Sequence, residues 1–262
     1  MTLPPILDHP TDERAVFLPE DLLERAAVLG GKERGGIPSC CVLDFDGELV
    51  PVAREQFGAK PCDAWACFHT TLFRVEVAGA EMGLIGGTVG APFAVLVAEE
   101  LIASGCRFII GYGSAGAVAE GVPLPCLVVP DRALRDEGTS YHYLPPTTWV
   151  ETQGRLPGVL ARWAQDTGLP VHRGATWTTD APYRETRSQV GRYREAGVLS
   201  VEMESAALLA LAQARDAEIA SLLHVTNHMA SGEGDFHKGP EDIHARVITC
   251  CLDAFRDARH PT

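Results

Sequence analysis

Short apolar runs alternate along this chain with segments of helical period. "LFRVEVAG" (72–79) and "EMGLIGG" (81–87) read as strands, and "APFAVLVAEELIASG" (91–105) reads as a helix with Pro92 in its first turn and Gly105 at its end. "CRFIIGYGSAG" is a buried strand running into a glycine turn, and "PCLVVP" is another strand. "LPGVLARWAQDTG" is helical, "VHRGATWTTD" a strand, "VEMESAALLALAQARD" a helix, "AEIASLLHVTN" a strand, and "EDIHARVITCCLDAFRDARH" a closing amphipathic helix. This order predicts an α/β sandwich, with a central buried sheet covered by helices on both faces. Residues 31 to 66 and "GEGDFHKGPED" (232–242) are the least regular stretches and read as loops.

The chain has 262 residues, 46% of them hydrophobic, enough for one substantial core, so a single domain over 1–262 is expected. A formal net charge of -13 sets its field against nucleic acid and anionic membrane surfaces as partners and leaves small molecules open. Cys40, Cys41, Cys62, Cys67, Cys106, Cys126, Cys250 and Cys251 show no CxxC spacing and mostly sit in apolar runs. They read as reduced, buried thiols rather than a metal site. The start, "MTLPPILDHPTDERAV", has neither the basic opening nor the apolar stretch of a signal peptide, and no run reaches membrane-span length, so a cytoplasmic protein is expected.

Ligands of α/β sheets bind beyond the carboxyl ends of strands. "GYGSAGAV" puts glycines and Ser114 at such an end, where backbone N–H groups can meet an oxygen-rich ligand; glycine turns also occur there for steric reasons alone. "VEMES" offers two readings as well. Glu202 and Glu204 are an acidic helix start around a core Met203, or a carboxylate that accepts sugar hydroxyls while the thioether lies on the apolar face of the ring.

Taken in order, "GGTVGAPFAVLVAEELIASGCRFIIGYGSAGAV", "LVVPDRALRDEGTSYHY", "GVLSVEMESAALLALA" and "HVTNH" resemble the purine nucleoside and uridine phosphorylase family, which also contains nucleosidases. The resemblance runs from about Arg74 to His228 and returns weakly in the last helix. It implies a three-layer α/β sandwich with a mixed, barrel-like central sheet, a nucleoside as small-molecule partner, and a homo-oligomer between dimer and hexamer. By the same resemblance Glu204 binds the ribose hydroxyls, Met203 packs on the sugar, and Val201 and Glu202 line the site. Asn227 bonds the leaving base, Tyr183 lies in the base wall beside Pro182, and Ser114 and Thr88 position water or sugar. His69, His142, His224, His228 and His237 are candidates for proton handling, with none assigned. No cofactor or metal is implied.

Phosphorylases of this family hold phosphate with a "GDPxR"-like turn and an Arg two residues before the "GS" of the glycine motif. The second position here is Gly111, and in "VFLPEDLLERA" Glu20 and Glu24 fall where the glycine and arginine of the turn are expected. A like-charge contact at 4 Å costs about 4 kcal/mol at an effective dielectric near 20, so such a pocket disfavours phosphate. The expectation is nucleoside hydrolysis with Glu24 as general base, unless Glu24 is only an exposed helix residue. The alternatives are phosphorolysis, with Arg54, Arg74 or a neighbouring subunit's arginine on phosphate, and a nucleoside-binding protein without turnover.

Overall fold

The computed structural model describes residues 4–31, 36–229 and 236–259. Helix α1 (Pro19–Gly30) precedes β1 (Cys40–Asp44), α2 (Leu49–Gln56), β2 (Lys60–Pro61), β3 (Phe73–Val77), β4 (Ala80–Gly86) and α3 (Ala91–Ala103). The chain continues through β5 (Phe108–Ala117), β6 (Cys126–Asp136), β7 (Trp149–Glu151), α4 (Leu156–Ala164), β8 (Val171–Thr179) and α5 (Arg187–Glu195). It ends with β9 (Val198–Glu202), α6 (Ser205–Arg215), β10 (Glu218–His228) and α7 (Ile243–Arg259).

The strands form a ten-stranded mixed sheet in the order β10-β6-β8-β9-β5-β1-β4-β3-β2, with β7 on β6. A further β10–β5 pairing joins the first strand of that order back to the fifth, so β5, β10, β6, β8 and β9 close into a ring, and β1, β4, β3 and β2 extend from it as an open wing. This is the barrel-like α/β sandwich expected from the resemblance.

Alternation along the central strands assigns side chains to two helical layers. Val42, Leu84, Ile110 and Leu222 pack with Phe255 of α7. Leu43, Ile85 and Ile109 turn the other way, onto Leu101 of α3 and Leu208 of α6. With both faces covered, β1 is buried at all five positions and β5 at every position except Phe108 and Ser114. Helix α6 shows the same logic, since every residue from Ser205 to Ala212 is buried.

Two expectations are corrected. Residues 31 to 66 are not loop throughout, because they carry α2 and β1, which pairs in parallel with both β4 and β5. "CCVLD" is buried at all five positions and so shows no alternation. The "VEMES" helix starts later than its apolar run implies. Val198–Glu202 is a strand paired with β8 and β5, and α6 begins only at Ser205. Of the 232–242 stretch, residues 232–235 lie outside the described residues.

Candidate active site

Gly116 of β5 pairs with Val201 on one side and Asn227 on the other. Because β9 runs antiparallel to β5, the chain after Val201 turns back toward Ser114. Glu202 then points inward and caps the start of α6. Its carboxylate accepts the Thr178 hydroxyl at 2.6 Å and the N–H groups of Glu204 and Ser205 at 2.8 and 2.7 Å. Glu202 is therefore committed to structure, and Val201 packs with Trp177 and Val118 in the core beneath.

Glu204 is built differently. Oε1 accepts the Gly90 N–H at 2.6 Å and Oε2 the Met203 N–H at 3.1 Å, leaving acceptor capacity on each oxygen. Burial, then repulsion from Glu202, pushes its carboxyl up to about 8. Thr88, in the same loop as Gly90, is fully buried, and its hydroxyl has no hydrogen-bond partner among the described residues.

The sequence reading missed the turn between β1 and α2, "DFDGELV", residues 44–50. Asp44 folds it by accepting the N–H groups of Gly47, Glu48, Leu49 and Val50 at 2.8–3.3 Å. Burial nevertheless pushes the Asp44 carboxyl up to about 7. Phe45 lays its ring against the glycine strand. A Cβ on Gly111 would meet Phe45 Cζ at 2.5 Å, and one on Gly113 would meet Cδ2 at 2.7 Å. Asp46 then reaches across to accept the Ser114 N–H at 2.6 Å. Asp46 is exposed, and its carboxylate lies near enough to Glu204, Asp44, Tyr112 and His244 to act on each electrostatically. A strand run closed by Asp-Gly before an apolar helix was the available signal.

The remaining candidates divide. Met203 is part-buried beside Glu204, and Asn227 lies one residue before the end of β10 with its carbonyl accepting from the Thr226 hydroxyl at 3.4 Å. Tyr183 is fully exposed on the loop before α5. The structure does not bring Glu20 or Glu24 to this cleft. Both are exposed on α1, and Glu20 lines a groove with Gly105 and Arg107, which precede β5. At about 3.3 Å per residue, that end of β5 lies about 20 Å from Ser114. Arg74 is paired with Glu81, and Arg54 lies over Phe73, both on the open wing. Of the histidines, His142 stacks on His9 and His69 lies beside Phe68, whereas His224 is buried next to Tyr112. His228 ends β10 exposed, and the His237 N–H donates to Thr226 O at 2.8 Å. Among the described residues no His, Cys, Asp and Glu cluster suits a metal ion, and no helix is long and apolar enough to cross a membrane.

A family model described as "Phosphorylase superfamily" matches residues 39–255. The chain belongs to the phosphorylase superfamily. Among its curated relatives is a guanosine phosphorylase of Halorubrum lacusprofundi, 27% identical over 221 residues, 83% of this chain and 84% of the relative. A purine nucleoside phosphorylase DeoD-type of Brevibacillus brevis is 27% identical over 232 residues, 86% of this chain and 96% of the relative. Another of that name, from Bacillus cereus, is 29% identical over 181 residues, 67% and 76% of the two chains. The superfamily match starts just before β1 and leaves α1 outside. The first strand-to-helix turn inside it is therefore the one that carries Asp46.

Proposed function

We propose that this protein cleaves the N-glycosidic bond of a nucleoside and transfers the sugar to water. The observation that carries the reading is the Asp46 carboxylate on the Ser114 N–H. Set on this turn, the phosphorylase pattern "GDPxR" falls on Asp46, Gly47, Glu48, Leu49 and Val50. An acid replaces the glycine and an apolar side chain replaces the arginine. Gly111, at the second arginine position, has its side-chain space filled by Phe45. A phosphate dianion here meets carboxylates and an amide already engaged; water meets a base.

Cleavage builds oxocarbenium character on the sugar and negative charge on the departing base. Glu204 holds the ribose hydroxyls, with Met203 on the ring face and Thr88 supplying a further hydroxyl. Asp46, in place of Glu24, takes a proton as the water oxygen bonds C1′; the C1′–N bond breaks with its electron pair going to the base, which Asn227 steadies by hydrogen bonding. Solvent returns a proton to the base. The reading extends to a homo-oligomer, supported by the apolar side chains of Val16, Phe17, Val28 and Leu29, which stand exposed on and before α1.

Phosphorolysis is the second reading, favoured by the phosphorylase names of the relatives. Chromatography of a nucleoside panel incubated with and without phosphate separates the two. Hydrolysis gives free base and ribose in phosphate-free buffer. Ribose 1-phosphate, formed only with phosphate, overturns the choice of water while keeping the nucleoside site.

A further inference from the structure

The turn that presents Asp46 is also held from behind. Glu48, at the start of α2, is part-buried and faces α7 and the segment before it. Lys238 pairs with one of its oxygens, and His244 Nε2 of α7 lies 3.2 Å from the other, a close approach without an aligned hydrogen bond. His244 in turn sits edge-on to Tyr112 of β5 and His224 of β10, with ring centroids 6.2 and 6.5 Å apart. The Tyr112 hydroxyl closes the group on His224 Nδ1 at 3.3 Å. Partial burial works against the charge on Glu48, yet Lys238 and then His244 hold its carboxyl below the ordinary value. Burial drives His224 down to about 4 and pushes His244 below its ordinary value as well, so both are mainly neutral at pH 7 and the permanent cation on Glu48 is Lys238.

Three acids in one short turn thus have separate tasks. Asp44 folds it, Asp46 meets the glycine motif, and Glu48 ties it to the C-terminal helix. We propose that Glu48, held by Lys238 and His244, is a positioning residue that braces the turn behind Asp46, so that the Asp46 carboxylate stays where it serves the nucleophile. This rests on the proposed nucleoside-cleaving reading.

The geometry makes the role specific. Asp44 shapes the turn from inside, and the Phe45 N–H on Tyr112 O at 2.7 Å ties its first residues to β5. Beyond Phe45, the hydrogen bonds and ion pairs from other elements that reach the turn's side chains are, among the described residues, the Ser114 N–H on Asp46 and Lys238 and His244 on Glu48. Without the second, Asp46 keeps Phe45 and Ser114 beside it but loses the support behind it. Loss of placement should appear in kcat, because sugar and base contacts lie on other elements, and misplacing a reacting group by about 1 Å costs about 100-fold.

The test uses the full chain and a nucleoside that it turns over. Glu48→Gln, Lys238→Met and His244→Leu should each lower kcat about 10- to 100-fold with KM changed less than about threefold. His244→Gln, which keeps a donor toward Glu48, and Lys238→Arg should retain most of the rate. Pairing Glu48→Gln with His244→Leu should cost no more than the worse single variant, since both act through one contact. Thermal melts accompany each variant. A merely structural role predicts a lower melting point with unchanged kcat per folded molecule, and that result overturns the proposal, as do additive losses or a change confined to KM. If the unmodified protein releases no base from any nucleoside, the function reading itself has failed, which is a separate outcome.

Discussion

Glu204 Oε1 accepts the Gly90 N–H at 2.6 Å, so the loop that starts α3 and the turn that starts α6 are joined across 114 residues of chain. The bond aims the carboxylate at the cleft and leaves room on both oxygens for ligand hydroxyls. Glu204→Gln keeps an acceptor for Gly90 but loses the charge. Ribonucleoside kcat/KM should fall by about 10- to 150-fold, equivalent to about 1.5–3 kcal/mol for charge-assisted hydrogen bonds. Steady-state kinetics on a folded variant checks it, and unchanged values remove Glu204 from the sugar site.

The same carboxyl carries a pH signature. Burial and Glu202 raise it from 4.5 to about 8, so between those values the folded protein keeps a proton that the unfolded chain has released. Stability therefore falls as pH rises across that window. Glu204→Gln lacks the penalty, so its melting temperature relative to the unmodified protein should climb from pH 5 to pH 8. Hydroxyl donors favour the anion, so nucleoside binding near pH 7 should also release a proton. Calorimetry in buffers of differing ionisation enthalpy reads this directly.

Asp46→Asn keeps an acceptor for Ser114 but no base. Turnover should drop by about 10²- to 10⁴-fold, the usual scale of general-base loss, with base release still independent of phosphate. Glu24→Ala should leave the rate unchanged. Loss of rate in Glu24→Ala with none in Asp46→Asn would reverse the assignment made here.

Gly111→Ala should destabilise by about 1–3 kcal/mol, because its methyl would enter the Phe45 ring. Phe45→Leu should relieve part of that cost in the double variant. Urea unfolding of the four proteins gives the coupling, and strictly additive losses would show that the two residues do not compete for one space.

The sequence made legible the parts whose pattern is long or punctuated. Helix α3 lies between Pro92 and Gly105, β5 runs into its glycines, and β10 reads as a strand to Asn227. Glu204 was found because a carboxylate in a buried run is costly without a task. What stayed hidden was short and uniformly buried. Strand β1 has five buried residues and no alternation, so its turn, with Asp46, passed as loop. The "LPEDLLERA" stretch drew the turn motif to itself because acids at the right separation also suit an amphipathic helix, and α1 buries Leu23, Ala26 and Ala27 while Glu24 faces solvent. In "VEMES", apolar side chains continue from strand into helix, and only the ladder to β8 and β5 shows where one gives way to the other.

Closure of β5, β10, β6, β8 and β9 sets how this cleft can diverge. Ser114, Asn227 and the strand leading to Glu204 belong to the ring, where shifting one strand shears its neighbours all the way around. Asp46 follows β1 of the wing, outside that closed circuit, so its side chain can be replaced without breaking a pairing of the ring. On the proposed reading, the part that grips the sugar is thus the fixed half of the site, and the part that selects the attacking group is the exchangeable half. A lineage can change what the sugar is handed to while leaving untouched the residues that recognise it.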